Sequence, residues 1–316
     1  EVEESLQKPN TIVQMDISTQ HTETVMSGVI GFSAPDMVMG SDQSHLIFAS
    51  AHNNANSLAA DIYHTSRDLD GMTWAPPTQV ITHEQVIPTG SGGGIIFYPK
   101  IALSQDGQTV HLVWEQGYDF VYWEVWYIAG TRSQDGKITW NPDTLQRVSP
   151  AGELGTLPDL VVDTQDQVHV AWMRPEPDRD AKAGQNIFYR RIGASEDTIR
   201  KLNDQTLQVN DNFPTLVKFS MAGKDENICV AWHGHHGASG ESETEEIWMR
   251  CSPDEGDSWQ PVINVSESPD EHSLFSNIQL DAQGSAYATW VEYKIEGSTK
   301  LPQSLNVRTG PAALNQ

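Results

Sequence analysis

One strand pattern recurs along the whole chain at a nearly fixed interval. Each copy is a short run of alternating apolar and small residues that ends in an aromatic residue. The copies are His45–Phe48, His111–Trp114, His169–Trp172, Cys229–Trp232 and Tyr287–Trp290. The aromatic positions 48, 114, 172, 232 and 290 are therefore 58 to 66 residues apart. A period of this length indicates a repeat architecture in which every unit is one supersecondary structure.

The residues between two aromatic positions contain four strand-like pieces. In the second repeat these pieces are 98–104, 110–115, 124–131 and 145–149, separated by Gly, Asp, Asn and Pro. Four short antiparallel strands per repeat are typical of a β-propeller blade. A β-sandwich is the alternative, but it needs no such period. The sequence therefore predicts an all-β, single-domain propeller over 1–316, with blades at 31–81, 95–149, 156–210, 212–266 and 274–310.

The last repeat is one strand short, which bears on how the ring closes. After the strand at 305–308 the sequence has no fourth strand pattern. Residues 12–18 resemble the fourth strands of the other repeats, so we expect segment 11–19 to complete the last blade and remove its exposed edge. This predicts five blades. Six blades are the alternative if segment 9–30 holds more than one strand.

A box with a fixed spacing stands after the third strand of several repeats. The clearest copy is Ser252-Pro-Asp254-Glu-Gly256-Asp-Ser-Trp259, and looser copies run over 66–74 and 133–140. The box resembles the Asp-box of sialidase-type (BNR-repeat) β-propellers. The resemblance implies that the box carboxylates bond turn amides and that the box indoles are buried anchors. These residues are Asp68, Trp74, Asp135, Trp140, Asp254 and Trp259.

Sialidase chemistry does not carry over with the fold resemblance. Sialidases grip the substrate carboxylate with three arginines, whereas the matching stretch 31–36 here holds none. A second comparison is with five-bladed glycosidases of the arabinanase type, which use carboxylates at the mouth of the central channel. The candidate catalytic carboxylates here are Asp36, Glu115, Asp159 and Glu292, and Asp36 with Glu115 is the first pair to consider. Pro-Asp recurs at 158–159, so Asp36 is alternatively a structural repeat element.

Long loops that leave the second strands of the repeats predict the ligand-binding face. Aromatic rings beside carboxylates suit sugars, because a ring stacks on a pyranose and carboxylates accept its hydroxyl hydrogen bonds. The candidate ligand-binding residues are Tyr118, Tyr122, Trp123, Arg174 and His233. Some of these rings alternatively pack as a local core under their loop. The neighbouring histidines at 233, 235 and 236 do not by themselves make a metal site.

Composition limits the class of partner. The chain has 19 Lys and Arg against 43 Asp and Glu, a net charge of −24, which argues against nucleic acid. No apolar stretch predicts a transmembrane segment. Cys229 and Cys251 lie on two arms of one predicted hairpin, so we expect a disulfide and an extracellular or cell-surface location. No cofactor is predicted, although the acidic surface is compatible with Ca²⁺.

These observations lead to a functional hypothesis and an alternative. The leading hypothesis is a secreted, non-catalytic propeller that binds a glycan or a protein. The alternative is a glycoside hydrolase that uses carboxylates at the channel mouth.

Overall fold

The structure is a computed structural model in which almost every regular element is a β-strand. The residues that it describes are 10–15, 20, 22–29, 34–51, 60–71, 73–86, 95–118, 122–133, 136–175, 185–204, 218–234, 244–296 and 299–311. The contacts within the chain divide it into two compact units, 1–158 and 159–316, which we call the N-terminal and C-terminal units. Among the described residues, no helix has the length and apolar character that crossing a membrane requires.

The N-terminal unit contains a two-stranded sheet followed by two four-stranded sheets. Its strands are β1 (Asn10–Met15), β2 (Thr22–Val29), β3 (Asp36–Met39), β4 (Gln43–Ala51), β5 (Ala60–Asp68), β6 (Thr78–Ile81), β7 (Ile95–Leu103), β8 (Thr109–Tyr118), β9 (Tyr122–Arg132) and β10 (Ile138–Arg147). A single helical turn, α1 (His83–Val86), precedes β7. In both larger sheets the strands pair in chain order and antiparallel.

The C-terminal unit continues the same pattern, with the boundary between the units falling inside the first strand. Its strands are β11 (Thr156–Val162), β12 (Val168–Pro175), β13 (Gln185–Arg191), β14 (Arg200–Lys201), β15 (Phe219–Lys224), β16 (Asn227–Gly234), β17 (Glu246–Ser252), β18 (Ile263–Asn264), β19 (His272–Leu280), β20 (Ser285–Glu296) and β21 (Thr299–Pro311). They form two four-stranded sheets and a sheet of three strands.

The predicted fold class is confirmed at the level of the sheets. Successive four-stranded antiparallel meanders are the construction of β-propeller blades, and the described sheets start and end close to the five predicted blade boundaries. The recurring tryptophans are the reason for the period. Trp114, Trp172 and Trp232 are each completely buried, so every repeat contributes one large anchor to its core.

The predicted closure by the N-terminal strand is wrong, and so is the count of five blades. Segment 10–15 pairs with 22–29 in a hairpin of its own, whereas the described part of the last sheet is β19-β20-β21. The described residues therefore form six sheets, which agrees with the alternative that segment 9–30 holds more than one strand. The physical reason is locality, since a hairpin closes a short loop at a small entropic cost. Strand β21 forms an edge of its sheet, and Leu305 on it is 74% exposed.

The two cysteines form the predicted cross-strand disulfide. Cys229 in β16 is directly opposite Cys251 in β17, and the two sulfur atoms are bonded at 2.03 Å. Both residues are buried in a core cluster of the C-terminal unit with Ile278 and Trp290. Cys229 occupies the position that His169 has in the preceding repeat, and Cys251 occupies the position of Arg191, the residue opposite His169.

The clearest box forms the expected turn. The Asp254 carboxylate accepts hydrogen bonds from the Ser258 backbone N–H at 2.8 Å and the Ser258 hydroxyl at 2.6 Å. Burial would raise the pKa of Asp254, but these hydrogen bonds outweigh it and lower the pKa. Trp259 is half-buried rather than the fully buried anchor that was expected. Its indole N–H donates to the Gly256 carbonyl, and its ring lies edge-on to Tyr189 at 4.9 Å.

The other boxes depart from the expected pattern. The Asp68 carboxylate accepts a hydrogen bond from the side-chain amide of Gln43 at 2.6 Å, while the turn N–H of Gly71 bonds the Asp68 main-chain carbonyl. Trp74 and Trp140 are half-buried rather than fully buried anchors. Asp135 lies outside the described residues.

Candidate active site in the N-terminal unit

Glu115 is the candidate carboxylate with the most unusual environment. It follows the buried anchor Trp114 in β8, and its side chain is only 4% exposed. The backbone N–H of Leu157 donates a hydrogen bond to its Oε2 at 2.5 Å. Burial raises the pKa of Glu115 to about 7, although the Leu157 N–H opposes the rise. Near neutral pH both protonation states are therefore populated, as a general acid or base requires.

Aromatic rings surround this carboxyl group. Phe97 lies directly opposite Glu115 on β7, and the ring of Trp123 stacks on that of Phe97 with centroids 5.2 Å apart. Burial and the negative charge of Glu115 together raise the pKa of Tyr98. Gly117 makes room for this arrangement, because a Cβ atom there would lie 2.5 Å from the Trp123 ring.

The backbone is irregular where these residues meet. Tyr98 has a φ of 47° inside a bulge of β7, and Leu157, which donates to Glu115, has a φ of 49°. In the C-terminal unit, Phe275 has a φ of 59° in the corresponding bulge of β19. Each stands two residues before a polar residue of its strand, which is Lys100, Asp159 or Asn277. Positive φ at non-glycine residues costs about 1–3 kcal/mol and is concentrated at functional sites.

Asp36 and Asp159 play the same local part, one in each unit. The Asp36 carboxylate accepts a hydrogen bond from the Ile101 backbone N–H at 3.0 Å, and Asp159 accepts one from the Met221 N–H at 3.0 Å. Each aspartate thus ties the first strand of one sheet to the first strand of the next. Asp36 differs because Lys100 Nζ lies 3.5 Å from its Oδ1.

Glu292 is buried, and its carboxylate is occupied by protein donors. Its Oε1 accepts hydrogen bonds from the Trp290 indole at 2.5 Å and the Ser268 hydroxyl at 2.9 Å, and its Oε2 accepts from the Ser273 hydroxyl at 2.9 Å. These bonds explain how a carboxylate that is 5% exposed is tolerated. Three donors on two oxygens favour a structural role for Glu292.

The candidate residues at the ends of the second strands do not all point to the same side of their own sheets. Glu115 and His233 each follow their tryptophan by one position, whereas Arg174 and Glu292 follow by two. Side chains alternate between the faces of a strand, so these two pairs of residues point to opposite sides of their sheets. The hydrogen bond from the Trp290 indole to Glu292 shows that a residue two positions after the tryptophan lies on the same face of the sheet as the tryptophan.

The remaining ligand-binding candidates have mixed environments. Arg174 is half-buried, with its guanidinium 5.2 Å from the Phe188 ring centroid. His233 is fully buried and meets the exposed ring of Phe275 edge-on at 6.2 Å. Trp123 packs on Phe97, as in the local-core alternative, yet stays half-buried. The ladder sets Tyr118 opposite Tyr122, but their side chains lie outside the described residues.

Sequence analysis did not single out Phe97, Tyr98 or Leu157. A signal was available, because Tyr98-Pro-Lys and Leu157-Pro-Asp occupy the same place in successive repeats. What the pattern could not show is that the backbone N–H of Leu157 reaches Glu115. Among the described residues, no three His, Cys, Asp or Glu side chains are grouped as metal ligands.

Comparisons with known proteins place the fold among enzymes that process carbohydrates. A solved structure of a polysaccharide lyase, the PL25 ulvan lyase bound to -[GlcA(1-4)Rha3S]-, matches with a TM-score of 0.58 and 13% identity over 92% of this chain. The ulvan lyase structure without that ligand matches with a TM-score of 0.57 and 13% identity, over 90% of this chain and 69% of the lyase chain. A thermostable family-43 glycoside hydrolase matches with a TM-score of 0.51 and 8% identity, over 89% of this chain and 94% of that one.

These similarities concern the fold alone. This chain spans 66% of the length of the ligand-bound lyase chain. No protein-family model matches the sequence, and neither does any curated protein. A specific relationship to Asp-box sialidases therefore stays a prediction.

Proposed function

We propose that this protein is a carbohydrate-active enzyme that cleaves glycosidic bonds, with Glu115 as its general acid. Its fold matches those of a polysaccharide lyase and a glycoside hydrolase. These matches favour the hydrolase alternative of the sequence analysis over a purely non-catalytic binding protein. The activity itself is inferred from the surroundings of Glu115.

The observation that carries the proposal is the buried carboxyl group of Glu115 with its pKa of about 7. Cleavage of a glycosidic bond needs a proton on the leaving oxygen, and a carboxyl group that is still protonated near neutral pH supplies it. After transfer, the Leu157 N–H stabilises the carboxylate that remains. In a retaining mechanism the Glu115 carboxylate then withdraws a proton from the incoming water, whereas in an inverting mechanism the second carboxylate does so.

The rings beside Glu115 provide the second requirement, a surface for the sugar. Trp123 is half-buried. Its ring stacks on Phe97 and occupies the space that a side chain at position 117 would fill, so its orientation is fixed. A ring fixed in this way stacks on a pyranose with little further loss of side-chain entropy. The hydroxyl of Tyr98 adds a hydrogen-bonding group next to the carboxyl group.

Asp36 is the proposed second carboxylate. It lies in the same unit as Glu115 and bonds to β7, the strand next to the one that bears Glu115. The ammonium group of Lys100 lies 3.5 Å from Asp36 Oδ1 and pairs with the carboxylate that we propose as base or nucleophile. The distance between the two carboxyl groups in the substrate complex would decide between retention and inversion.

The test is a panel of neutral and acidic polysaccharides assayed for new reducing ends. We expect Glu115→Gln to lower the rate by about 10²–10⁴-fold, the usual contribution of a general acid. Asp36→Asn should also reduce activity strongly. Asp159→Asn is the matched control, because Asp159 makes the same backbone bond in the other unit. Equal losses in the two Asp variants would indicate that Asp36 is structural only.

Elimination is a second candidate reaction, and Tyr98 is the observation that favours it. A tyrosine beside a carboxyl group offers a paired acid and base for an acidic polysaccharide. Elimination would leave a conjugated, ultraviolet-absorbing uronate in the product, whereas hydrolysis leaves none. Saturable glycan binding with no cleavage by the wild type, on any substrate, would restore the non-catalytic hypothesis.

A further inference from the structure

A polar groove lies between two box hairpins of the N-terminal unit, away from Glu115. It has a volume of about 550 Å³, and its lining includes Gln43, Arg67, Thr73, Trp74 and Lys137. We call it the box groove. Volumes of this size accommodate small-molecule ligands.

The strand register separates the box groove from the candidate active site. Thr109 at the start of β8 pairs with Thr131 near the end of β9. The hairpin that joins β9 to β10, and that contains Lys137, follows directly. Glu115 lies six positions further along β8, which is about 20 Å in an extended strand. The box groove is therefore at the opposite strand ends of the same sheet.

The charges of the groove are unusual for this protein. Among the lining residues that the structure describes, Arg67 and Lys137 are positively charged and Asp68 is the one carboxylate, in a chain with a net charge of −24. The guanidinium of Arg67 lies 5.4 Å from the centroid of the Trp74 ring, which holds the charge at the wall. Guanidinium and ammonium groups at one site suit a carboxylate.

Gln43 adds a second requirement for the ligand. It is 8% exposed, and its amide nitrogen donates to Asp68 at 2.6 Å, which fixes the orientation of the amide. The amide oxygen is buried and accepts no hydrogen bond from the residues that the structure describes. A buried acceptor without a donor is unfavourable. A hydroxyl group is a donor that would satisfy it.

We propose that the box groove binds an acidic sugar, with Arg67 and Lys137 on its carboxylate and Gln43 accepting from a hydroxyl. Neither a simple carboxylate nor a neutral sugar meets both requirements. Trp74 and the hydroxyl of Thr73 complete the wall. The site is distinct from the proposed catalytic centre, and its function would be to hold a uronate residue of a polymer or oligosaccharide.

Calorimetric titration with D-glucuronate, D-glucose and acetate tests the proposal. We expect saturable binding of glucuronate to the wild type, at least tenfold tighter than either glucose or acetate. Lys137→Met should weaken glucuronate binding roughly tenfold or more, as for a lost charged hydrogen bond. Lys201→Met is the matched control, since Lys201 is exposed on β14, and should leave the affinity unchanged.

A separate variant distinguishes this site from the catalytic one. Glu115→Gln should retain glucuronate affinity, whatever its effect on cleavage. The proposal is overturned if glucuronate does not bind, if acetate or glucose binds as tightly, or if Lys137→Met behaves like Lys201→Met. Loss of glucuronate binding in Glu115→Gln would also overturn it, because the sugar would then be in the other site.

Discussion

Replacing Glu115 with glutamine should change how the free energy of unfolding depends on pH. The pKa of Glu115 is raised by burial from 4.5 to about 7. A raised carboxyl pKa means that the folded state holds its proton more tightly than the unfolded chain does. The stabilising contribution is complete below about pH 4.5 and is lost as the pH rises through about 7.

The size of the effect follows from the two pKa values. Their difference of roughly 2.5 corresponds to about 3 kcal/mol of free energy of unfolding. Glutamine keeps the shape and an acceptor for the Leu157 N–H but carries no charge at any pH. The difference in unfolding free energy between Glu115→Gln and wild type should therefore move by about 3 kcal/mol in favour of the variant between about pH 4 and pH 8.

Urea denaturation at a series of pH values measures this difference directly. Comparing the two proteins at each pH cancels the contributions of all other titrating groups. Glu292→Gln is the buried control, and it should destabilise the protein by about 1–3 kcal/mol because one of three donors loses its acceptor. Parallel pH curves for Glu115→Gln and wild type would refute the argument that Glu115 is a desolvated acid.

Three further outcomes are expected. Burial lowers the pKa of His64 to about 3, so its contribution to the unfolding free energy is complete above about pH 6.5 and is lost as the pH falls. Between pH 7 and about pH 5, His64→Gln should therefore lose about 2 kcal/mol less unfolding free energy than wild type, as measured by urea denaturation. Replacing Cys229 and Cys251 together with alanine should lower the unfolding free energy by about 3 kcal/mol, since the disulfide closes a loop of 22 residues; an unchanged melting temperature would contradict this. Gly117→Ala should displace the indole of Trp123 and change its fluorescence, and an unchanged emission spectrum with full activity would count against the proposed sugar platform.

Local patterns predicted most of the sheets because each blade is a local structure. The spacing of the tryptophans and the turn residues between strands were sufficient to locate four strands per repeat. The cross-strand cysteines followed from their hairpin in the same way. The partner of the N-terminal segment was not predictable on these grounds. Segment 12–18 resembles a fourth strand, but its partner is the adjacent segment 22–29.

In the candidate site, too, local patterns predicted some features, whereas others depend on residues that are distant in the chain. Glu115 was identified from its position at the end of a second strand, but naming Glu292 beside it as a second candidate carboxylate overlooked the alternation of side chains along a strand. The roles of Asp36 and Asp159 as ties to the next sheet depend on contacts 62 to 65 residues apart in the chain. No local pattern contains that information.

By itself, the sequence determined that the chain is a series of antiparallel β meanders with a disulfide in one of them. It could do so because hydrophobic alternation, turn chemistry and the recurring indole act over a few residues. The tertiary structure alone decided which candidate carboxylate is desolvated. Burial of Glu115 beneath aromatic rings, with one backbone N–H as its partner, raises its pKa to about 7. Desolvation is a property of the packed environment, and so residues of the same type at similar positions have different chemistry.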